Sequence, residues 1–382
     1  MELKKLIKQS LAERLQATFA HLHENPEVSW NEVSTTAYLK ELLKGEGLQP
    51  HTFDNMTGLY VDIGKGTPKV GFRTDIDALW QEVDGKFQAN HSCGHDGHMT
   101  VALGVILLLK KLEPELPGAV RILFQPAEEK AQGAKAFIEQ GVVDPLQFLY
   151  GAHVRPLVEL RDGTFAPALH HGAAKLFTGE IKGLEAHGAR PEQGKNAIEI
   201  ASAIIEGIKR IWISPTESAS IKMTKLHAGG SSTNIIPGNA TFSIDARAQS
   251  NDTMEVLTEG LEKVIAAVST MYDATIMYKA DAHIAAARVD NTAKEILQEA
   301  IMDVAGEENC APEVITPGGE DFHFYSFSKP QLKTTMLGIG CGVTPGLHHP
   351  KMTFNQDRLP TSAEIITRAL VLTLNHLEGE TS

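Results

Sequence analysis

The nine residues from Asn90 to His98, Asn-His-Ser-Cys-Gly-His-Asp-Gly-His, set a thiol, three imidazoles and a carboxylate around two glycines, and the chain then runs directly into an apolar, helix-like segment, Met99 to Leu112. Thiolate and neutral imidazole are the donors that Zn-like divalent ions prefer, and glycine lets a loop turn tightly enough to bring near neighbours onto one ion. A helix starting just after the loop, at Met99, would aim backbone N–H groups and a partial positive charge at it, which favours thiolate at Cys93. By itself the stretch is also compatible with a His-rich surface loop, because C-x-H lacks the specificity of a doubled C-x-x-C.

A chain of 382 residues suits two domains, and its 42% hydrophobic and 22% charged content is that of a soluble globular protein. The net charge of −13 would repel a phosphate backbone, which argues against a nucleic-acid partner. Met1 to Leu22 mixes charge with Leu, Ile and Phe at helical spacing and reads as an amphipathic helix rather than a signal peptide. The most apolar run, Val101 to Leu109, is too short to cross a bilayer, so no membrane partner is expected. The three cysteines, Cys93, Cys310 and Cys341, make no disulfide framework and fit a cytoplasmic protein, with Cys310 and Cys341 as packing residues.

Tyr60 to Gly64, Lys69 to Ala78, Val120 to Phe124 and Phe148 to Val154 read as strands separated by helical stretches, which implies a sheet covered on both faces. Asp75 and Asp77, Glu128 and Glu129, and His153 all fall at or just past strand ends, where such sheets collect ligands. Asp75 suits an orienting role or an ion pair with Arg73, and Asp96 suits an acceptor for a ligating ring of His95. From 171 to 282 the texture changes to a β-α-β-β-α-β order, the ferredoxin-like pattern, so this part reads as a compact insertion into a domain made of 1–170 and 283–382. Its loops carry His187 and Asn234; the resumed domain carries Gly318 to Phe322, whose Glu320 and Asp321 either cap the next segment or support a site, and then Leu347-His348-His349.

With these pieces in place the chain resembles the M20 metallopeptidases, and more closely their amidohydrolase branch of aminoacylases, hippurate hydrolases and auxin-conjugate hydrolases. The resemblance rests on Arg73-Thr-Asp75-Ile-Asp77-Ala-Leu, Ser92 to His98, Gln125-Pro-Ala-Glu128-Glu129, Gly151-Ala-His153-Val, Ala186-His187-Gly188, Asn234-Ile-Ile-Pro237, Gly319-Glu320-Asp321-Phe322 and Leu347-His348, in that order. It implies a mixed, mostly parallel sheet flanked by helices, with an inserted ferredoxin-like α+β lid and dimerisation domain. It further implies that Cys93, His95, Glu129, His153 and His348 hold two divalent ions per subunit (Mn²⁺, Zn²⁺ or Co²⁺). Glu128 would be general base and acid, His187 and Asn234 would meet the substrate, and Asp75 and Asp96 would support the metal ligands.

The implied activity is hydrolysis of the linear amide of an N-acyl amino acid, a small-molecule substrate. Dipeptidase or carboxypeptidase action and a non-catalytic binding protein are the alternatives, and monomer against homodimer stays open. Four features depart from the branch pattern: Trp80 after Asp-Ala-Leu, a short segment from Leu79 to Cys93, Lys130 after the glutamate pair, and His349 beside His348.

Overall fold

The computed structural model describes residues 2–381, with side chains described for 11–379. The chain forms two compact units, one from the stretch up to His170 with Arg288–Ile315 and the residues from Asp321 onward, the other from His171–Ala287 with Thr316–Glu320.

In the first unit a seven-stranded sheet runs in the order His51–Thr52, Leu59–Ile63, Val120–Gln125, Val70–Asp75, Phe148–Pro156, Lys333–Val343, Phe165–Ala166. The neighbouring strands Val120–Gln125, Val70–Asp75, Phe148–Pro156 and Lys333–Val343 pair in parallel, and the edge strands are antiparallel. Val70–Asp75 and Val120–Gln125 are buried at every position, as strands covered on both faces must be. One face packs Phe72, Ile122, Phe148 and Leu337 with Val101, Val105, Ile366 and Leu370 of the helices His95–Leu112 and Leu359–Thr381. The opening helix, Glu2–Glu24, buries Leu11, Leu15, Phe19 and Leu22 at three- and four-residue steps, the spacing of one helical face; Met1 lies outside the described residues.

Parallel register sets the rim. Asp75 stands opposite Gln125, and His153 opposite Gly338, so the carboxyl ends of these strands and the loops that follow them open on the same side.

Two features differ from the sequence reading. The helix expected from Met99 starts at His95, so His95, Asp96, Gly97 and His98 form its first turn rather than a loop before it. Gly94 makes the early start possible: it sits at φ 85°, its carbonyl accepts from His98 N at 3.0 Å, and a Cβ there would come within 2.5 Å of Val154 Cγ2. Between Leu79 and Cys93, moreover, the chain makes a hairpin of Leu79–Val83 and Lys86–Asn90, turned by Asp84 (φ 50°) and Gly85 (φ 83°). Asp-Gly is a strong two-residue hairpin signal, because both residues tolerate positive φ.

The second unit is a four-stranded antiparallel sheet in the order Ala219–Ala228, Asn239–Ala248, Ala173–Lys182, Thr275–Ile284, with helices Ala197–Ile208 and Asn251–Tyr272. Asn239–Ala248 alternates buried and accessible positions, and Phe242, Ile244 and Ala246 pack with Ile200, Ile204, Leu257 and Leu261 of the helices. Asn196 and Ser250 cap those helices through Ile198 N and Thr253 N.

Gly133 fixes the return of the chain after the glutamate pair, because a Cβ there would lie 1.6 Å from Pro126 O, a backbone atom that cannot swing aside. Gly133→Ala is expected to destabilise the first unit by roughly 3 kcal/mol or more, read as a lower midpoint in urea unfolding.

Candidate metal centre

Four separate segments deliver the donor atoms. Cys93 closes the loop before helix His95–Leu112, His95 opens that helix, Glu129 follows strand Val120–Gln125, His153 lies within Phe148–Pro156, and His348 lies beyond Lys333–Val343. His348 takes a left-handed backbone conformation, φ 63°, held by its N–H to Ser92 O at 2.8 Å. Ala127 (φ 52°) and Ala131 (φ 53°) bracket the glutamate pair in the same conformation. Each such residue costs on the order of 1–2 kcal/mol, and surrounding contacts must offset that strain.

The donors converge. Cys93 Sγ lies 3.6 Å from His153 Nε2 and 3.3 Å from His348 Nε2, and Glu129 Oε1 lies 3.6 Å from His348 Nε2 and 3.8 Å from His95 Nε2. Two ligands of one tetrahedral ion, at roughly 2.3 Å for sulfur and 2.1 Å for nitrogen, stand roughly 3.6 Å apart, so the spacing matches ligands around shared ions. The atoms group into Cys93–His95–His153 and Cys93–Glu129–His348, two triads with the sulfur in common.

Hydrogen bonding aims the rings. His95 Nδ1 donates to Asp77 O at 2.8 Å and His153 Nδ1 to Val154 O at 2.6 Å, which leaves each Nε2 lone pair for the centre. Within the site His95 Nε2 and Glu129 Oε1 are buried and have no hydrogen-bond partner. Burial, and then the Glu129 carboxylate, push the Cys93 thiol well above its usual range; burial pushes the Glu129 carboxyl up to about 7. Buried acids so disfavoured in their ionised form, beside the partnerless Nε2 of His95, are what a divalent cation corrects, since it favours the ionised thiolate and carboxylate. The residues fit the ions that the resemblance implies.

His98 does not join them. Its Nε2 accepts from Val154 N at 3.0 Å, so the proton sits on Nδ1, which donates to Asp75 Oδ1 at 2.7 Å. Asp75 therefore fixes His98 first, and lies 3.7 Å from His95 Nδ1. Asp96 departs from the role read for it: its Oδ2 pairs with His23 Nδ1 at 2.7 Å and its Oδ1 accepts from Gly97 N at 2.8 Å, while Asp77 serves His95. The reason is helical geometry, because a residue next to His95 in a helix points some 100° away from it. His91 is buried with neither ring nitrogen hydrogen-bonded, and burial lowers its pKa to about 4.

Glu128 stands beside the ligand set, with Oε2 4.0 Å from His95 Nε2 and Oε1 accepting from Asp321 N at 3.3 Å. Behind it lies a network that joins three of the sequence motifs, including the Arg73–Asp75 pair. Arg73, with no exposure, donates from Nη1 to Asp75 Oδ2 (2.6 Å), from Nη2 to Asp321 Oδ1 (2.6 Å) and from Nε to Gln125 Oε1 (2.9 Å). Gln125 Nε2 and Ala134 N also donate to Asp321, and Tyr325 O–H donates to Gln125. Burial opposes ionisation of Asp75, but His95, His98 and Arg73 outweigh it and hold the carboxyl well below the usual range.

In the second unit His187 and Asn234 are both exposed and adjoin one another: His187 pairs with Ile235 across a short antiparallel bridge, and Asn234 O accepts from Gly188 N at 2.7 Å. Arg247 pairs with Asp245 through Nε at 3.0 Å and Nη2 at 3.1 Å, a surface ion pair. Of the departures, Lys130 reaches Ser29 O at 3.3 Å, His349 Nδ1 accepts from Lys351 N, and Trp80 sits exposed on the hairpin, whose Gln81 donates to His348 O at 3.2 Å.

Arg73→Met leaves Asp75 and Asp321 buried without their cation, and is expected to cost about 3–5 kcal/mol in urea unfolding.

The chain is similar to known proteins along most of its length. N-acetylcysteine deacetylase from Bacillus subtilis is 29% identical over 378 residues, covering 94% of this chain and 96% of that protein. Hippurate hydrolase from Campylobacter jejuni is 30% identical over 304 residues, covering 76% of this chain and 78% of that one. A solved Bacillus subtilis structure, described as a dinuclear metal-binding peptidase of the M20 family, superposes with a TM-score of 0.81 at 26% identity, covering 96% of this chain and 99% of that chain. The model of peptidase family M20/M25/M40 matches residues 71–371, and the chain belongs to that family.

Proposed function

We propose that the protein is a metal-dependent amidohydrolase that cleaves the amide bond of N-acyl or similarly conjugated amino acids. The observation that carries this reading is the second carboxylate. Five other donors provide two triads, yet Glu128 stands within 4.0 Å of His95 as well. A site that only bound ions or conjugates would have no need of it, whereas hydrolysis needs a base. The relatives named for N-acetylcysteine deacetylation and hippurate hydrolysis support an acylated amino acid as substrate.

Two divalent ions held by Cys93, His95, Glu129, His153 and His348 would supply Lewis acidity, acidifying a water and polarising the amide carbonyl. Glu128 takes the proton of the attacking water and delivers it to the departing amine nitrogen. The Asp321 N–H holds Oε1 of Glu128, and Oε2 stands 4.0 Å from His95 Nε2, at the edge of the donor set. Glu129 must stay ionised to hold an ion, whereas Glu128 must change state, so the adjacent acids divide the work. His187 is assigned to the developing oxyanion and Asn234 to the substrate carboxylate, with the second unit as lid and dimerisation domain; these assignments rest on the family resemblance. Thiolate and imidazole suit Zn²⁺, while the carboxylate and open positions suit Mn²⁺ or Co²⁺ equally. Among the described residues no helix is long and apolar enough to cross a membrane, and the free cysteines fit a reducing cytoplasm.

The test is hydrolysis of N-acetyl and N-benzoyl amino acids, with dipeptides in parallel, by protein stripped with a chelator and reloaded with Mn²⁺, Zn²⁺ or Co²⁺. Stripped protein is expected to be inactive and reloaded protein active on the acyl amino acids. Glu128→Gln should lower kcat by about 10²–10⁴-fold with metal content unchanged. Full turnover in that variant refutes the assignment of the base, and cleavage of dipeptides alone moves the protein to the peptidase reading.

A further inference from the structure

The turn between the first two helices plays no part in the chemistry above, yet it grips the loop that carries Glu128 and Glu129. Glu32 is buried, with Oε1 accepting from Ala127 N at 2.9 Å and Oε2 accepting from Thr57 Oγ1 at 2.6 Å. Although it immediately precedes helix Val33–Gly45, its side chain does not cap that helix. Glu27 does so instead, accepting from Ser34 N at 3.1 Å and Thr35 N at 2.7 Å. Relieved of that duty, the Glu32 carboxylate turns to the residue just before Glu128. Ser29 adds two holds: its Oγ donates at 2.6 Å to Asp77 Oδ2, the oxygen that accepts from Glu129 N at 3.1 Å, and its carbonyl receives Lys130 Nζ. Trp30 Nε1 donates to Gln132 Oε1 at 2.6 Å.

We propose that this turn is a clamp for the acid loop, and that Glu32 is a positioning residue that sets where Glu128 and Glu129 stand. Ala127 and Ala131 hold left-handed conformations that alanine leaves unless its hydrogen bonds require them. The amide that Glu32 engages belongs to the first of them. Burying a carboxylate is costly, and helix capping does not account for it here. The departure at Lys130 fits the same device, since its ammonium, carried by the loop, donates to Ser29 O in the turn.

The inference rests on the reading of Glu128 and Glu129 given above, so the experiment separates the two. Wild type, Glu128→Gln, Glu32→Ala, Glu32→Gln and Trp30→Phe are compared in the full chain. Three quantities are measured: apparent Co²⁺ affinity from the visible absorption of the cobalt-loaded thiolate site, kcat and KM at saturating metal, and thermal midpoint. Inactivity of Glu128→Gln upholds the underlying reading. Given that, Glu32→Ala should weaken Co²⁺ binding or lower kcat by roughly 10–100-fold with KM little changed. Glu32→Gln should recover most of the loss, because its carbonyl oxygen can still accept from Ala127 N and its amide can donate to Thr57. A Glu32→Ala protein that melts earlier yet binds Co²⁺ and turns over like wild type overturns the proposal, as does failure of Glu32→Gln to recover the loss. If Glu32→Ala does not accumulate as folded protein, Trp30→Phe decides: a fall in kcat or Co²⁺ affinity at an unchanged thermal midpoint upholds the clamp, and wild-type values for both refute it. Activity in Glu128→Gln would remove the reading of the base, and the Co²⁺ titration would then still test the hold on Glu129.

Discussion

A guanidinium with no access to water organises the rim of the first unit. Arg73 lies on a central strand and bonds to Asp75 two residues on, to Gln125 on the neighbouring strand and to Asp321 far along the chain. Charges are buried at a high desolvation cost, and the arrangement persists because the carboxylate oxygens facing Arg73 are paired and further donors fill the remaining lone pairs. From Asp75 the contacts lead through His98 to the backbone of Val154, beside His153; from Asp321 they lead through its own N–H to Glu128. One buried cation thus ties the strand that carries His153 to the candidate base.

The donor atoms depend on that rigidity because none of them shares a segment of ordinary flexibility. Cys93 and His95 are carried by a helix start that only glycine at 94 permits against Val154, His153 by a central strand, and His348 and the glutamate pair by strained backbone. Hydrogen bonds from Nδ1 to backbone carbonyls lock the His95 and His153 rings with their other nitrogen inward. A loose loop would pay the ordering entropy each time an ion bound; here much of that cost is met during folding.

Much of this was legible in the residues. Apolar runs, glycine loops and chemically active residues at strand ends pointed to a sheet covered on both faces with a site at its rim, and the joint order of eight motifs pointed to the family. What failed to show is instructive. Asp96 lies next to His95 in sequence but points elsewhere once the helix starts early, and the carbonyl of Asp77 takes its place. Glu32, just ahead of the second helix, bonds the backbone before Glu128, a contact that nothing in its own neighbourhood of sequence announces.

The division follows from range. Local pattern alone determined which segments are strand or helix, where the polar loops interrupt them, and which residue types are available as donors, because periodicity and turn chemistry act over a few residues. Which of those groups face one another was decided by strand order and register, which bring Asp75 beside Gln125 and Asp321 beside Arg73 across 248 positions of chain. Tautomer, orientation and the pairing of buried charge belong to that second level, since each depends on a partner that sequence neighbours do not specify.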